Sequence, residues 1–153
     1  MTIRLRAMLS GRSASMAFAL LAINFVWEMA QAGYYSSMEG LPFWSATWLC
    51  SRAAVADVGL FILCFLLAAM VARDTAWPLH PTPLAVTTFL VACLIVTIGI
   101  ERWAITTARW SYGADMPLIA GVGVLPLLQW VLIPVLALFG FRVVFPATIR
   151  HSS

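Results

Sequence analysis

Apolar residues fill four long stretches of the chain, and short segments rich in Gly and Pro separate these stretches. We predict membrane-spanning helices at residues 14–35, 51–72, 84–105 and 117–141. Each stretch has the roughly 20 residues that a helix needs to cross the hydrocarbon core of a bilayer. The pattern therefore predicts one all-α domain over residues 1–153, an integral membrane four-helix bundle of up-down-up-down topology. The fourth stretch contains Gly121, Gly123, Pro126 and Pro134, which predict that it is kinked or partly unwound.

The composition supports a membrane protein. The chain is 63% hydrophobic and 10% charged, whereas a soluble domain has about 25% charged residues. A chain of this length leaves much of its surface exposed, so its solvent must be lipid. The net charge of +3 is small and scattered, and we expect no nucleic-acid partner. Neither a C-x-x-C motif nor a histidine inside a predicted span is present, so we expect no cofactor and no metal ion.

The arginines predict the orientation, because short cytoplasmic loops carry more positive charge than short outer loops. With the N-terminus inside, the inner side holds Arg4, Arg6, Arg12, Arg73, Arg142 and Arg150. The outer side holds Arg52, Arg102 and Arg109. We therefore expect both termini in the cytoplasm of a bacterial inner membrane, with the first span retained as a signal anchor. An aromatic belt is predicted at the outer interface, and Trp77 alone is predicted to mark the inner one.

Three acids lie inside the predicted spans. Glu28 and Glu101 fall in the last third of outward-running spans, and Asp57 falls in the first third of an inward-running span. All three should therefore lie at a similar depth in the outer half of the membrane. Because a carboxylate in lipid is costly, such residues usually face the bundle interior. The depth predicts one polar pocket that opens towards the outer side.

The first span adds polar residues at helical spacing. The spacing of Asn24, Glu28, Gln31 and Tyr35 lines one narrow face of a helix,, and Trp27 flanks that face. Lipid would not tolerate this face, so it should point inward. Gln129 supplies a polar group from the fourth span, and the three outer arginines lie near the same rim.

These residues also have a structural interpretation. Intramembrane acids often pair with arginine, as Asp57 would with Arg52, and Glu101 with Arg102 or Arg109. Asn24 and Gln31 would then only hold helices together. Glu28 is the strongest candidate for function, because no basic residue lies within two helical turns of it.

The pocket suits three functions from different classes. The first is acid–base chemistry on a lipophilic substrate, since a carboxylic acid in an apolar site can keep its proton and donate it. The second is proton-coupled transport of a small molecule. The third has no chemistry: a subunit or assembly factor whose polar face docks a larger membrane complex.

The stretch Asn24-Phe25-Val26-Trp27-Glu28 resembles the Asn-x-x-Trp-Glu segment of the integral-membrane terpene cyclases of fungal meroterpenoid pathways. The match covers part of one helix, and that family has more spans. The resemblance implies that Glu28 donates a proton to an isoprenoid, and the family's other acid has no match here. The segments Arg109-Trp110-Ser111-Tyr112 and Pro126-Leu127-Leu128-Gln129 resemble small bacterial four-helix membrane proteins, which implies no activity.

The leading interpretation is a pocket in the outer leaflet that binds an isoprenoid- or lipid-like molecule and isomerises or cyclises it. Glu28 would act as the acid, and Asp57 or Glu101 as the base or charge partner. The predicted substrate-binding residues are Asn24, Trp27, Gln31, Tyr35, Arg109, Trp110, Tyr112 and Gln129. Expected partners are membrane lipid, the lipophilic molecule, and either a second copy of the chain or a larger membrane complex.

Overall fold

A computed structural model describes residues 11–144, with side chains from residue 14 onward. It contains four long helices: α1 (Gly11–Gln31), α2 (Phe43–Ala72), α3 (Pro83–Thr106) and α4 (Val124–Val144). All four are long and apolar enough to cross a membrane. Each helix packs against the next along the chain, and α4 packs back against α1. The predicted all-α four-helix bundle is therefore confirmed.

Helix α2 begins at Phe43, eight residues before the predicted start of the second span at residue 51. In the helix, the Thr47 and Ser51 hydroxyls donate to the carbonyls of Phe43 and Thr47 at 2.8 and 2.7 Å, which satisfies them without water. The first two turns of α2 expose aromatic rings, and Trp44 is 78% exposed.

Helix α4 begins at Val124, seven residues after the predicted start at residue 117. The residues before it form a hairpin, with β1 (Leu118–Ile119) antiparallel to β2 (Val122–Gly123). The turn has φ 50° at Ala120 and φ 77° at Gly121, and two positive φ angles in succession are what a tight two-residue hairpin turn requires. The predicted unwinding is thus found at the start of this segment.

Five aromatic rings close one end of the bundle. Trp77, in the short 3₁₀ helix Trp77–Leu79, packs against Phe65 and Phe89 with ring centroids 5.5 Å apart in each pair. Phe61 lies 5.2 Å from Phe89, and Phe141 stacks 5.6 Å from Phe65. We call these five residues the aromatic plug. Trp77 is only 1% exposed, so its prediction as an interface anchor is wrong: packing against three helices buries it.

Arg73 and Arg142 are exposed at the end of the bundle that holds the aromatic plug. We call this the inner end, following the orientation that the arginines predict. Arg4, Arg6 and Arg150, on which that prediction also depends, lie outside the described residues, as does His151. The opposite, outer end carries the connection from α1 to α2 and the connection from α3 to α4.

Candidate functional site

Polar side chains from α1, α2 and α4 meet in the outer half of the bundle. Gln129 of α4 is central to them and is 2% exposed. Its amide nitrogen donates to Asn24 Oδ1 at 3.0 Å and to Asp57 Oδ2 at 2.9 Å. Its amide oxygen accepts from Gln31 Nε2 at 3.3 Å. One side chain therefore joins α4 to both α1 and α2.

The polar face of α1 points inward, as its spacing predicts. Asn24 and Gln31 are buried, and Asn24 also donates to the Leu20 carbonyl at 2.8 Å. Gln31 Nε2 donates to Glu28 Oε1 at 2.9 Å, and Trp27 Nε1 donates to Gln31 Oε1 at 3.2 Å. The Gln31 amide is thus fixed from both sides and holds one oxygen of Glu28.

The carboxyl groups of Glu28 and Asp57 lie near each other at the α1–α2 contact, where they interact. An ionised carboxylate has only acceptors, so a hydrogen bond between two carboxyls needs a proton on one of them. Both residues are half-buried. We call Glu28 and Asp57 the acid pair, because two neighbouring carboxyls favour an arrangement in which one of them keeps its proton.

Arginine does not neutralise these acids. No salt bridge joins an arginine to Glu28, Asp57 or Glu101 within residues 14–144. Arg102 Nη2 instead donates to the Ala120 carbonyl at 2.9 Å. The Arg109 guanidinium lies 5.3 Å from the centre of the Trp103 ring, on the surface. Arg109, predicted to bind substrate, thus lies apart from the polar network.

Glu101 belongs to a second group of hydrogen bonds. Its Oε2 accepts from Trp110 Nε1 at 3.2 Å and from the Tyr112 hydroxyl. The same hydroxyl accepts from the backbone N–H of Gly123 at 2.9 Å. Glu101 therefore ties the connection after α3 to the start of α4. Trp110 and Tyr112, predicted to bind substrate, donate their polar hydrogens to Glu101.

Tyr35 connects the two groups. Its ring lies 5.5 Å from that of Tyr112, and the backbones of the two residues form a β-bridge. Burial raises the pKa of the Tyr35 hydroxyl, and the charges of Glu101, Glu28, Tyr112 and Asp57 raise that pKa further. The Tyr35 hydroxyl therefore lies within electrostatic range of all three acids. Asp57, predicted in the first third of its span, lies near the middle of the longer α2, and the common depth of the acids stays a prediction.

Two cavities flank the network. A crevice inside the bundle, between Asp57, Gln129 and Phe61, has no room for a water molecule. A groove of about 490 Å³ opens at the outer end, and its lining includes Tyr35, Glu39 and Asp115. Neither cavity places a lipid-sized space against the acid pair inside the bundle.

Comparisons with protein-family models, with curated proteins and with solved structures find no match for this chain. The chemistry of the site therefore has to be argued from its own geometry.

The sequence pattern predicted the polar residues of the network but not which of them hydrogen-bond to each other. It also gave no role to Gly113 and Gly123, where a side chain would collide with the outer connections. A Cβ at Gly113 would lie 3.1 Å from the Tyr34 carbonyl oxygen, and one at Gly123 would lie 3.1 Å from Cε1 of Tyr112. The sequence signalled these close contacts only by placing both glycines near the aromatic residues of a connecting loop.

Proposed function

We propose that this protein binds an isoprenoid- or lipid-like molecule in the outer leaflet of a bacterial inner membrane and isomerises or cyclises it by acid–base chemistry. The observation that carries the proposal is the acid pair without an arginine partner. Two carboxyls that share one proton supply an acid and a base at the same place.

In this proposal Glu28 is the acid and Asp57 the base. The O–H of Glu28 gives its proton to one carbon of an alkene, and the alkene π electrons form the new C–H bond. The resulting carbocation is intercepted by a second alkene or directly loses a proton. Asp57 accepts the proton that leaves, and transfer between the two carboxyls restores the starting state. The substrate gains one proton and loses one, so the reaction needs no oxidant or reductant.

The amides support these roles. Gln31 Nε2 holds an oxygen of Glu28, and Gln129 Nε2 holds an oxygen of Asp57. The two amides also bond to each other, so the positions of both carboxyls are coupled. Neutral donors can orient a carboxyl without adding the full charge that would fix it in the ionised form, as an arginine would.

The two alternatives fit the described residues less well. A transport path along the bundle axis would have to pass the aromatic plug at the inner end. A subunit that docks through its polar face would need that face on the outside, whereas Asn24, Gln31 and Gln129 are buried and bonded to one another.

Hydrogen isotope exchange tests the proposal without a known substrate. Proteoliposomes that contain an isoprenoid-rich lipid extract are incubated in D₂O, and the lipids are analysed by mass spectrometry. We expect protein-dependent incorporation of deuterium at carbon, and we expect Glu28→Gln to abolish it. Glu39→Gln is the matched control, because Glu39 is exposed in the outer connection. Equal incorporation by wild type and Glu28→Gln would contradict the proposal.

A further inference from the structure

The outer end of the bundle is covered by two connections that hold each other. We define the outer cap as residues 32–38 together with residues 110–123. The Gly113 N–H donates to the Tyr34 carbonyl at 2.7 Å, and the Ser36 and Ser111 hydroxyls lie 2.7 Å apart. The cap is therefore one unit built from both connections.

Two neighbouring residues of α3 hold this cap: the exposed Arg102 bonds to the Ala120 carbonyl, and the buried Glu101 bonds to two cap side chains. Glu101 is 7% exposed, and both of its donors, Trp110 and Tyr112, belong to the cap. Both donors bond to the same oxygen of Glu101. The Tyr112 hydroxyl also accepts from the N–H of Gly123, just before α4. The Glu101 carboxylate thus has its partners in the cap, whereas the amides that hold the acid pair belong to α1 and α4.

The cap separates the outer groove from the acid pair. Tyr35 lines the groove, and the charges of Glu28 and Asp57 also act on its hydroxyl. Its ring is held against that of Tyr112, 5.5 Å away. The cap is closely packed here, because a Cβ at Gly123 would meet Tyr112 Cε1 at 3.1 Å and Met116 Sδ at 3.2 Å. The Tyr35 ring, packed on that of Tyr112, therefore forms part of the groove wall on the side of the acid pair.

We infer that Glu101 is a positioning residue which holds the outer cap closed, so that the acid pair is shut off from the outer aqueous groove and is reached from the lipid. The inference deepens the proposed function, on which it rests for the acid pair as the reactive site. It restricts the substrate to a molecule that dissolves in the membrane and approaches the half-buried carboxyls from the side. It also separates Glu101 from the proton transfer itself.

Carboxyl labelling in lipid nanodiscs, where both faces of the membrane are accessible, tests this inference. The probe is a water-soluble carbodiimide with an amine nucleophile, and mass spectrometry reads the modified residues. In wild type we expect modification of Glu39 and Asp115, which are exposed in the groove lining, but not of Glu28 or Asp57. These two groove acids are internal controls for the reagent.

Variants of the Glu101 contacts should open the pair to the same reagent. Glu101→Ala removes the acceptor of both cap donors, and we expect labelling of Glu28 or Asp57 to rise roughly tenfold. Glu101→Gln keeps an amide oxygen that accepts both bonds, so we expect it to remain as closed as wild type. Tyr112→Phe keeps the ring but loses the hydroxyl, and it should open the cap if Glu101→Ala does not fold.

Three results would overturn the inference. The first is labelling of the acid pair in wild type as fast as that of Glu39. The second is a folded Glu101→Ala or Tyr112→Phe protein that is as closed as wild type. The third is a Glu101→Gln protein that is as open as Glu101→Ala. The lipid-soluble reagent dicyclohexylcarbodiimide, used in parallel, tests the proposed function separately. If it leaves Glu28 and Asp57 unmodified, the proposed acid–base site is contradicted. The water-soluble reagent still decides the role of the cap.

Discussion

The outer and inner halves of the bundle are held together in different ways. In the outer half, hydrogen bonds join side chains of α1, α2 and α4 through Gln129. In the inner half, the aromatic plug joins the helices through ring contacts at 5.2 to 5.6 Å. Helices in lipid associate by close packing and by interhelical hydrogen bonds, because lipid itself gives little hydrophobic drive. The chain uses one of these means at each end.

The two halves also differ in what their contacts cost in lipid. Among the described residues, ring contacts hold the inner half together, and close packing of this kind is enough to associate helices in lipid. The outer half keeps two acids that packing does not need and that lipid penalises. In the proposed function this polar network carries the chemistry, and the inner half serves to hold the helices together.

The largest loss of stability should come from the aromatic plug. Trp77→Ala removes the buried indole and leaves a cavity, which costs about 3–5 kcal/mol, read as an early midpoint in detergent melting curves. Trp77→Phe should recover most of this loss, because the Trp77 indole N–H has no hydrogen-bond partner that the phenyl ring would forfeit. Trp44→Ala is the matched control, since Trp44 is largely exposed and should change the midpoint little. A similar loss at Trp44 would contradict the assignment of the plug as the structural half.

The next largest effect should come from Gln129→Leu. It removes three hydrogen bonds between helices, and at the strength of such bonds in membranes the loss is about 2–3 kcal/mol. The exposed Leu128→Gln variant serves as a control for substitution on the same helix, since its side chain faces outward. Melting of Gln129→Leu at the wild-type midpoint would show that the network does not hold the outer half together.

The sequence predicted the four helices because length and apolar composition decide whether a segment crosses a membrane. It predicted the inward direction of Asn24 and Gln31 because a polar face has no alternative in lipid. It did not predict where α2 and α4 begin. At the start of α2, Ser and Thr hydroxyls donate to carbonyls within the helix, so the helix continues through polar residues. Before α4, a two-residue turn at Ala120 and Gly121 takes the place of helix.

The partners of the acids were also outside what sequence could predict. Arg102 directly follows Glu101, and Arg109 lies just after the end of the same helix. The residues that bond to Glu101 are instead Trp110 and Tyr112. A residue adjacent on a helix points about 100° away, so proximity in sequence favoured the wrong pairing. The contact of Trp77 with three helices likewise depends on tertiary packing alone.

Glu28→Gln should change stability by less than about 1 kcal/mol, far less than the changes at Trp77 or Gln129. Removing one member of a buried ion pair costs about 3–5 kcal/mol, but no arginine within residues 14–144 pairs with Glu28. Asp57→Asn should behave alike, because its amide can still accept from Gln129 and can donate to Glu28. A sharp fall of the midpoint for either variant would indicate a hidden charge partner and remove the basis for the acid pair.

The smallest effect should come from Arg52→Gln. Arg52 is exposed and bonds to none of the three acids, so the change should stay within about 0.5 kcal/mol. Its effect should also be the same in the wild-type and Asp57→Asn backgrounds. A coupling between the two substitutions, measured by a double-mutant cycle of melting midpoints, would restore the Asp57–Arg52 ion pair that the structure replaces with the Asp57–Gln129 bond.

The most direct test of the central claim, that Glu28 and Asp57 share one proton, is infrared spectroscopy of the protein in lipid nanodiscs near neutral pH. A protonated carboxylic acid has a C=O stretching band distinct from that of a carboxylate, and the band shifts when the proton is exchanged for deuterium. We expect such a band in wild type, expect it to persist in the Glu39→Gln control, and expect the Glu28→Gln/Asp57→Asn double variant to lose it. A wild-type spectrum without a protonated-carboxyl band, or a double variant that retains the band, would contradict the account.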